Sequence, residues 1–491
     1  MTGLLVAVAV PPLACSVAAA LGARARTAGY AAIAGALVSL GFAVALLVRI
    51  AGHDGYTSLN GFAYVDGLSG YFLLTVAIVV LLASFGSAAY LRSEESAGAL
   101  SAFQVRLYFV FFGVFATLML ASLSTGNLGL LFVLVEASTL ASCALVGLEG
   151  KPRALEAAWK YVIISSLGVT IALVGTLFLF YSASGLDVSS GLRLTWPFLY
   201  AHAGDLSAPS LRLAFLLAVV GYGTKVGLAP MHTWLPDAHS EAPSPASAML
   251  SAALLNTGMY AIIRFLAIAQ VGIGGSYVHD VMLSFGFLSI VVGVLFMVRR
   301  GNFKRLFAYS SVEHMGIIAV ALGFGGVLGM YGALLHTLNH AIGKAVLFLS
   351  SGDVVLGYHT REAGRVRGIL SALPLTGGVL VLGSVAILGS PPFGLFLSEL
   401  TILRAGFSSA TPWLPAFLLL LLVVAFIAFA RITTGMSLGE SAGRVQPYPA
   451  GEQRVLAGLP LILGVLALLL LGLWIPGGLN AAILHSIGAV T

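Results

Sequence analysis

Charge is what this sequence has least of. Asp, Glu, Lys and Arg together make up 9% of its 491 residues, against 59% hydrophobic, and the mean hydropathy is +1.03. A soluble fold needs more polar surface than that, so the composition places the chain among helical proteins with many membrane spans. Cysteine is almost missing as well. Cys15 and Cys143 both fall in apolar stretches, without a C-x-x-C pair or a Cys/His cluster, so no disulfide framework, iron-sulfur cluster or metal site is expected. Also lacking are an H-E-x-x-H pattern, a phosphate-cradling glycine loop and a haem or nucleotide fingerprint. No cofactor is therefore expected, and any redox centre must sit on another chain. The formal charge of +6 does not point to nucleic acid, because the basic residues lie singly between apolar segments, where they set topology.

An apolar run from Leu4 to Leu21 has the length of a signal peptide. Its basic residues, Arg24 and Arg26, follow the run instead of preceding it, so it reads as a retained first helix, and the Pro-Leu-Ala-Cys around Cys15 as a lipoprotein look-alike. A hydrocarbon core of about 30 Å takes roughly 20 apolar residues per helix, which gives about fourteen spans. They run near 2–22, 28–50, 67–90, 106–124, 127–148, 155–182, 210–229, 244–268, 279–299, 303–324, 329–355, 372–405, 412–434 and 455–475.

Placing both termini outside sends most basic residues to the cytoplasmic side. These are Arg24, Arg26, Arg92, Arg106, Lys151, Arg153, Lys160, Arg299, Arg300, Lys304, Arg305, Arg361, Arg365, Arg367, Arg431, Arg444 and Arg454. The outer side keeps Arg49, Arg193, Arg212 and Arg404, and Lys225, Arg264 and Lys344 stay within spans. The chain is expected to be a multi-pass protein of a bacterial or archaeal plasma membrane.

The seventh and twelfth spans are expected to be broken. One carries Gly221, Gly223, Lys225, Gly227 and Pro230, the other Gly383, Gly389, Pro391, Pro392, Gly394 and Glu399. Glycine and proline free backbone groups that only protein or water can satisfy at membrane depth. Five helices apart, the two spans cross in opposite directions, as in inverted repeats. The expected division is an N-terminal three-helix segment (1–105), two five-helix repeats (106–268 and 269–434) and a C-terminal helix (435–491).

Glu136, Lys225, Asn256, His336, His340, Lys344 and Glu399 are polar or ionisable groups in segments apolar enough to cross a bilayer. A charge there costs roughly 2.5 to 3.5 kcal/mol on insertion scales, so several of them imply a buried polar path, read here as a proton route. Glu136 lies roughly 13 Å into its span, close to the midplane, and Lys225 is its expected ion-pair partner. The alternative is a static pair that holds helices together. His336, His340 and Lys344 recur every four residues and should form one stripe on a helix. Histidine can accept a proton on one nitrogen and release one from the other. Zinc on His336 and His340 lacks further obvious ligands.

Glu399 would end the line of groups; otherwise it is an interhelical cap. Glu313 and His314 diverge by about 100°, so at most one should face the path. Lys160 is a further accessory candidate. Met231 to Pro245, with His232, Asp237, His239 and Glu241, is expected to be a packed cytoplasmic loop over the mouth of the path.

These residues carry a resemblance along nearly the whole chain. VDGLSGYF (Val65 to Phe72), GLLFVLVEAS (Gly129 to Ser138), ALEAAWKYVIISSLG (Ala154 to Gly168), GTKVGLAPMHTWLPDAHSEAPSPASAML (Gly223 to Leu250), NFKRLFAYSSVEHMG (Asn302 to Gly316), HTLNHAIGKAVLFLSSG (His336 to Gly352) and GSPPFGLFLSEL (Gly389 to Leu400) resemble the antiporter-like subunit family. That family comprises proton-pumping membrane subunits of respiratory complex I, of group 4 NiFe hydrogenases and of Mrp-type cation/proton antiporters. Within it the chain is most similar to the hydrogenase-4 component F type. The resemblance implies roles in proton transfer for Glu136, Lys225, His336, His340, Lys344 and Glu399. Asn256 departs from it, standing where complex I members usually carry a lysine, and an amide cannot change charge.

The resulting expectation is an all-α polytopic, proton-translocating subunit with no redox centre of its own. Its partners would be other membrane subunits, a peripheral hydrogenase or dehydrogenase module, protons and the lipid bilayer. The alternatives are a complex I-type subunit, an Mrp-type cation/proton antiporter subunit, and a scaffold that does not pump.

Overall fold

The computed structural model describes residues 2–53, 55–189, 191–299, 301–409, 411–441, 445 and 451–490. Arg300 and Arg444, two of the basic residues used to assign topology, lie outside the described residues.

The N-terminal part comprises α1 (Thr2–Ala9), α2 (Leu13–Ala20), α3 (Ala25–Ile50), a hairpin of β1 (Tyr56–Ser58) and β2 (Ala63–Val65), α4 (Gly67–Ser96) and α5 (Ala102–Ser122). The middle holds α6 (Leu128–Val146), α7 (Pro152–Ser182), α8 (Trp196–Ala201), α9 (Ala208–Val226), α10 (Trp234–Glu241), α11 (Ser244–Met249) and α12 (Leu255–Ile273). Then come α13 (Gly275–Met297), α14 (Phe303–Phe324), α15 (Gly326–Tyr358), α16 (Ile369–Ala372), α17 (Pro374–Ile387), α18 (Gly394–Phe407), α19 (Trp413–Ser437), α20 (Glu452–Leu473) and α21 (Gly477–Gly488).

Twelve helices among the described residues are long and apolar enough to cross a bilayer, or thirteen if α1 and α2, bent by 54°, form one span. The expected fourteen included the twelfth span as a single unit. It is the pair α17 and α18, each 14 residues, about 21 Å and too short to cross alone. The bend between α1 and α2 falls at Pro11 and Pro12, where proline removes backbone donors.

The seventh span breaks where its glycine and proline cluster. Gly227 adopts a left-handed conformation (φ 80°) that caps α9, a geometry that suits glycine. Protein groups satisfy the freed backbone: Trp234 Nε1 donates to Thr224 O at 2.7 Å, and Ala229 N donates to Ser289 Oγ at 2.9 Å. The expected loop at 231–245 is helical instead. It contains a 3-10 turn (Met231–Thr233) and then α10, because Pro230 and Pro243 bound a stretch that packs on α7 and α14. Asp237 and His239 therefore ride on a helix.

The eighth span, α11 to α12, passes through a π turn at Leu250–Leu254, and its most apolar window is entirely interior, whereas α19 keeps only 28% of its own inside. The interior helices α12, α14 and α15 carry Arg264, Glu313, His314, His336, His340 and Lys344, while Glu136, Lys225 and Glu399 stand on α6, α9 and α18. The hairpin pairs Tyr56 with Val65 and Ser58 with Ala63, a small β element that the all-α reading did not anticipate.

Candidate functional site

Lys225 is fully buried on α9. Its Nζ donates to the Tyr161 hydroxyl of α7 at 3.1 Å and lies 4.9 Å from that ring's centre. Tyr161 Oη in turn lies 2.7 Å from Ser142 Oγ on α6, and Trp234 covers the phenol at 4.4 Å. The expected Glu136–Lys225 ion pair is not formed. Glu136 is half-buried and accepts from Ser166 Oγ at 2.5 Å and Thr139 Oγ1 at 3.3 Å. Each group thus has a neutral partner, and α7 supplies both the phenol and the serine.

Asn256 follows the π turn. Its Nδ2 donates to Ala252 O at 2.7 Å, its Oδ1 has no partner, and Ser251 and Ser311 meet nearby at 2.8 Å. Helix α12 packs on α9, and the π turn packs on α15, so the eighth span stands between the two ionisable groups of residues.

On the far side, Lys344 of α15 donates to Phe307 O at 3.0 Å and Ser310 Oγ at 2.7 Å, both on α14. His336 and Lys344 are not joined through His340, whose ring nitrogens have no partner. The thread crosses between helices instead of following the stripe. His336 Nδ1 lies 2.9 Å from Ser398 Oγ on α18, and its Nε2 lies 2.9 Å from His314 Nδ1 on α14. His314 Nε2 lies 3.6 Å from Glu313 Oε2. Of Glu313 and His314, at most one of which was expected on the path, His314 joins this bonded sequence; both are buried, since α14 is 94% interior over its apolar window.

Hydrogen bonds assign the tautomers. Ser398 Oγ donates to Leu395 O at 2.8 Å, so it accepts from His336 Nδ1. His336 Nε2 then accepts from His314 Nδ1, leaving a lone pair on His314 Nε2. Glu399 is buried beside Ser398 and lines a cavity of about 260 Å³ with apolar residues of α18 and α19. Ligand atoms of His314, His336 and Glu399 all lie within 4.8 Å of one another.

Of the accessory candidates, Lys160, Asp237 and His232 lie elsewhere. Lys160 pairs with Glu156 and, at 3.4 Å, with Asp237, which binds Arg305 at 2.6 Å. These partly exposed groups line a cavity of about 320 Å³ at one surface. His232 is buried with Nδ1 unpartnered.

Three features escaped sequence reasoning. Arg361 bridges Glu149 at 2.8 Å and Glu241 at 2.7 Å, beside a cavity of about 760 Å³. Lys304, placed on the cytoplasmic side, is buried and donates to Ala242 O at 2.5 Å. Asp66 caps α4 through Ser69 N at 2.9 Å and holds Arg264 through two bonds of 2.6 and 2.7 Å, with Trp196 4.2 Å from the guanidinium. The signal for this last pair was a lone aspartate before the third span and a lone arginine inside the eighth.

Comparison with known proteins agrees with this architecture. A family model described as "NADH:quinone oxidoreductase/Mrp antiporter, TM" matches residues 125–427. A hydrogenase-4 component F homolog of Methylacidiphilum infernorum is 36% identical over 389 residues, covering 79% of this chain and 81% of that protein. Among solved structures, a chain of the Mrp complex from Dietzia sp. superposes with a TM-score of 0.83 at 22% identity, covering 99% of this chain and 96% of that one. A chain of respiratory complex I from Thermus thermophilus gives 0.81 at 24%, covering 99% and 100%. The chain belongs to the NADH:quinone oxidoreductase/Mrp antiporter family, as an antiporter-like membrane subunit.

Proposed function

We propose that this subunit conducts protons inside a redox-driven complex of the group 4 NiFe hydrogenase or formate hydrogenlyase-like kind. The observation that carries the reading is the bonded sequence from His314 through His336 to Ser398, buried between helices and flanked by Glu313, Lys344 and Glu399. Its tautomers give it a direction. A proton arriving on His314 Nε2 releases the one on Nδ1 to His336 Nε2, and His336 Nδ1 then releases its own toward Ser398 and Glu399. At the other end, Lys225 holds its proton on a neutral phenol. An approach of Glu136 stabilises that charge, and its withdrawal frees the proton to move past Asn256 toward Lys344. The amide cannot carry charge, so water bridges that step.

Redox chemistry belongs to a peripheral module on partner chains, and other membrane subunits flank this one. The units 106–268 and 269–434 act as inverted repeats. The face bearing Lys151, Arg153 and Arg361 is cytoplasmic, with both termini outside, in a bacterial or archaeal plasma membrane. The 36% identity to a hydrogenase-4 component F homolog favours this over the complex I, Mrp and scaffold readings.

Replacing Lys225 by methionine in the intact complex, with proton translocation and electron transfer measured together, tests the reading. Translocation per electron should fall by the share this subunit contributes while the complex still assembles, in line with the loss of a proton-transfer group. Undiminished coupled pumping contradicts it.

A further inference from the structure

Two imidazole nitrogens face each other across a single proton, His314 Nδ1 and His336 Nε2 at 2.9 Å, and one ligand atom from each of His314, His336 and Glu399 lies within 4.8 Å of the other two. All three residues are buried. We propose that His314, His336 and Glu399 form a site for one divalent transition cation of the zinc class, which replaces the shared proton and closes the route.

The donor set selects this chemistry. Imidazole nitrogens suit zinc and its neighbours, whereas alkali and alkaline-earth cations prefer all-oxygen sites. Zinc–nitrogen bonds of about 2.0 to 2.1 Å in a tetrahedron put two nitrogens about 3.3 Å apart, so the imidazoles must separate by about 0.4 Å and each turn by roughly 35° to aim its lone pair at the ion.

One outer contact is already in place: His336 Nδ1 is committed to Ser398 Oγ at 2.9 Å, which leaves the Nε2 lone pair facing His314 Nδ1. For His314 the proton on Nδ1 moves to Nε2, where Glu313 Oε2, 3.6 Å away, must close by about 0.5 Å to accept a hydrogen bond. Nδ1 then presents a lone pair, and no proton leaves either ring. A carboxylate or hydroxyl behind each ligating histidine is the usual support of a metal site. A fourth ligand is at hand in His340, whose two nitrogens are unpartnered and whose ring centre lies 5.3 Å from that of His314.

Binding stands on this geometry alone, while the block rests on the proton route proposed above. The test uses the purified complex, washed with chelator and equilibrated with micromolar free zinc. Bound zinc is counted per complex for the parent, His336→Gln and Ser398→Ala. The parent should hold one more zinc than His336→Gln, and Ser398→Ala, a milder change, should weaken that zinc about 10- to 100-fold. In proteoliposomes the same zinc should suppress proton flux of the parent by the share that Lys344→Met removes, and should not lower the flux of Lys344→Met further. Equal zinc counts in the parent and His336→Gln overturn the site. A lost zinc that leaves parental flux untouched keeps the site and instead contradicts the route.

Discussion

Lys225 is buried, yet its direct partner is a phenol, and Glu136 sits apart with serine and threonine donors. Two opposite charges on different helices were readable in the sequence, but their separation was not, because it depends on how α7 inserts Tyr161 and Ser166 between them. Asp66 and Arg264 show the opposite outcome: 198 residues apart, they meet in a two-point bond that no local periodicity encodes. Burial pushes the Asp66 carboxyl upward, and the Arg264 guanidinium outweighs it, holding the group below the usual carboxylate range. A carboxyl depressed in the folded state contributes stability above its unfolded pKa and loses it only as pH falls toward the folded value. The pair should therefore hold from neutral pH down through the ordinary carboxylate range. Asp66→Asn leaves a buried guanidinium uncompensated and should cost about 3 to 5 kcal/mol. Thermal unfolding of the detergent-solubilised complex at neutral pH should show this as a lowered midpoint, with the acid-dependent part removed.

Among the elements, the broken seventh and twelfth spans were legible because glycine and proline act locally on the backbone. The continuation of the seventh span into α10 was hidden, since a polar, proline-bounded segment reads as a loop until its packing on α7 and α14 is known. Close helix contact is also a matter of partners. A Cβ on Gly221 would lie 2.4 Å from the backbone nitrogen of Ala172, whereas one on Gly378 would meet nothing within 4 Å. Gly221→Ala should therefore force α9 away from α7 and cost about 1 to 3 kcal/mol. It should also disturb Lys225, one turn onward and bonded to α7. Gly378→Ala is the matched control and should leave both thermal midpoint and proton translocation near parental values. An equal effect of the two substitutions would contradict the packing argument.

At the scale of the whole molecule, the all-helical membrane class followed from scarce charge and abundant apolar residues. The hairpin did not follow, because its short strands lie outside any span-length pattern. Buried groups on α14, α15 and α18 were individually visible, but the crossing from His314 to His336 to Ser398 exists only once those helices pack together. Lys344 tests the proton route as a whole, since it is buried on the same helix as His336 and His340 and its ammonium donates to two α14 oxygens. The most direct measurement is the number of protons translocated per electron transferred in the intact complex carrying Lys344→Met. The account predicts that electron transfer continues and the ratio falls by the share this subunit contributes. An unchanged ratio, in an assembled complex with normal electron transfer, would contradict it.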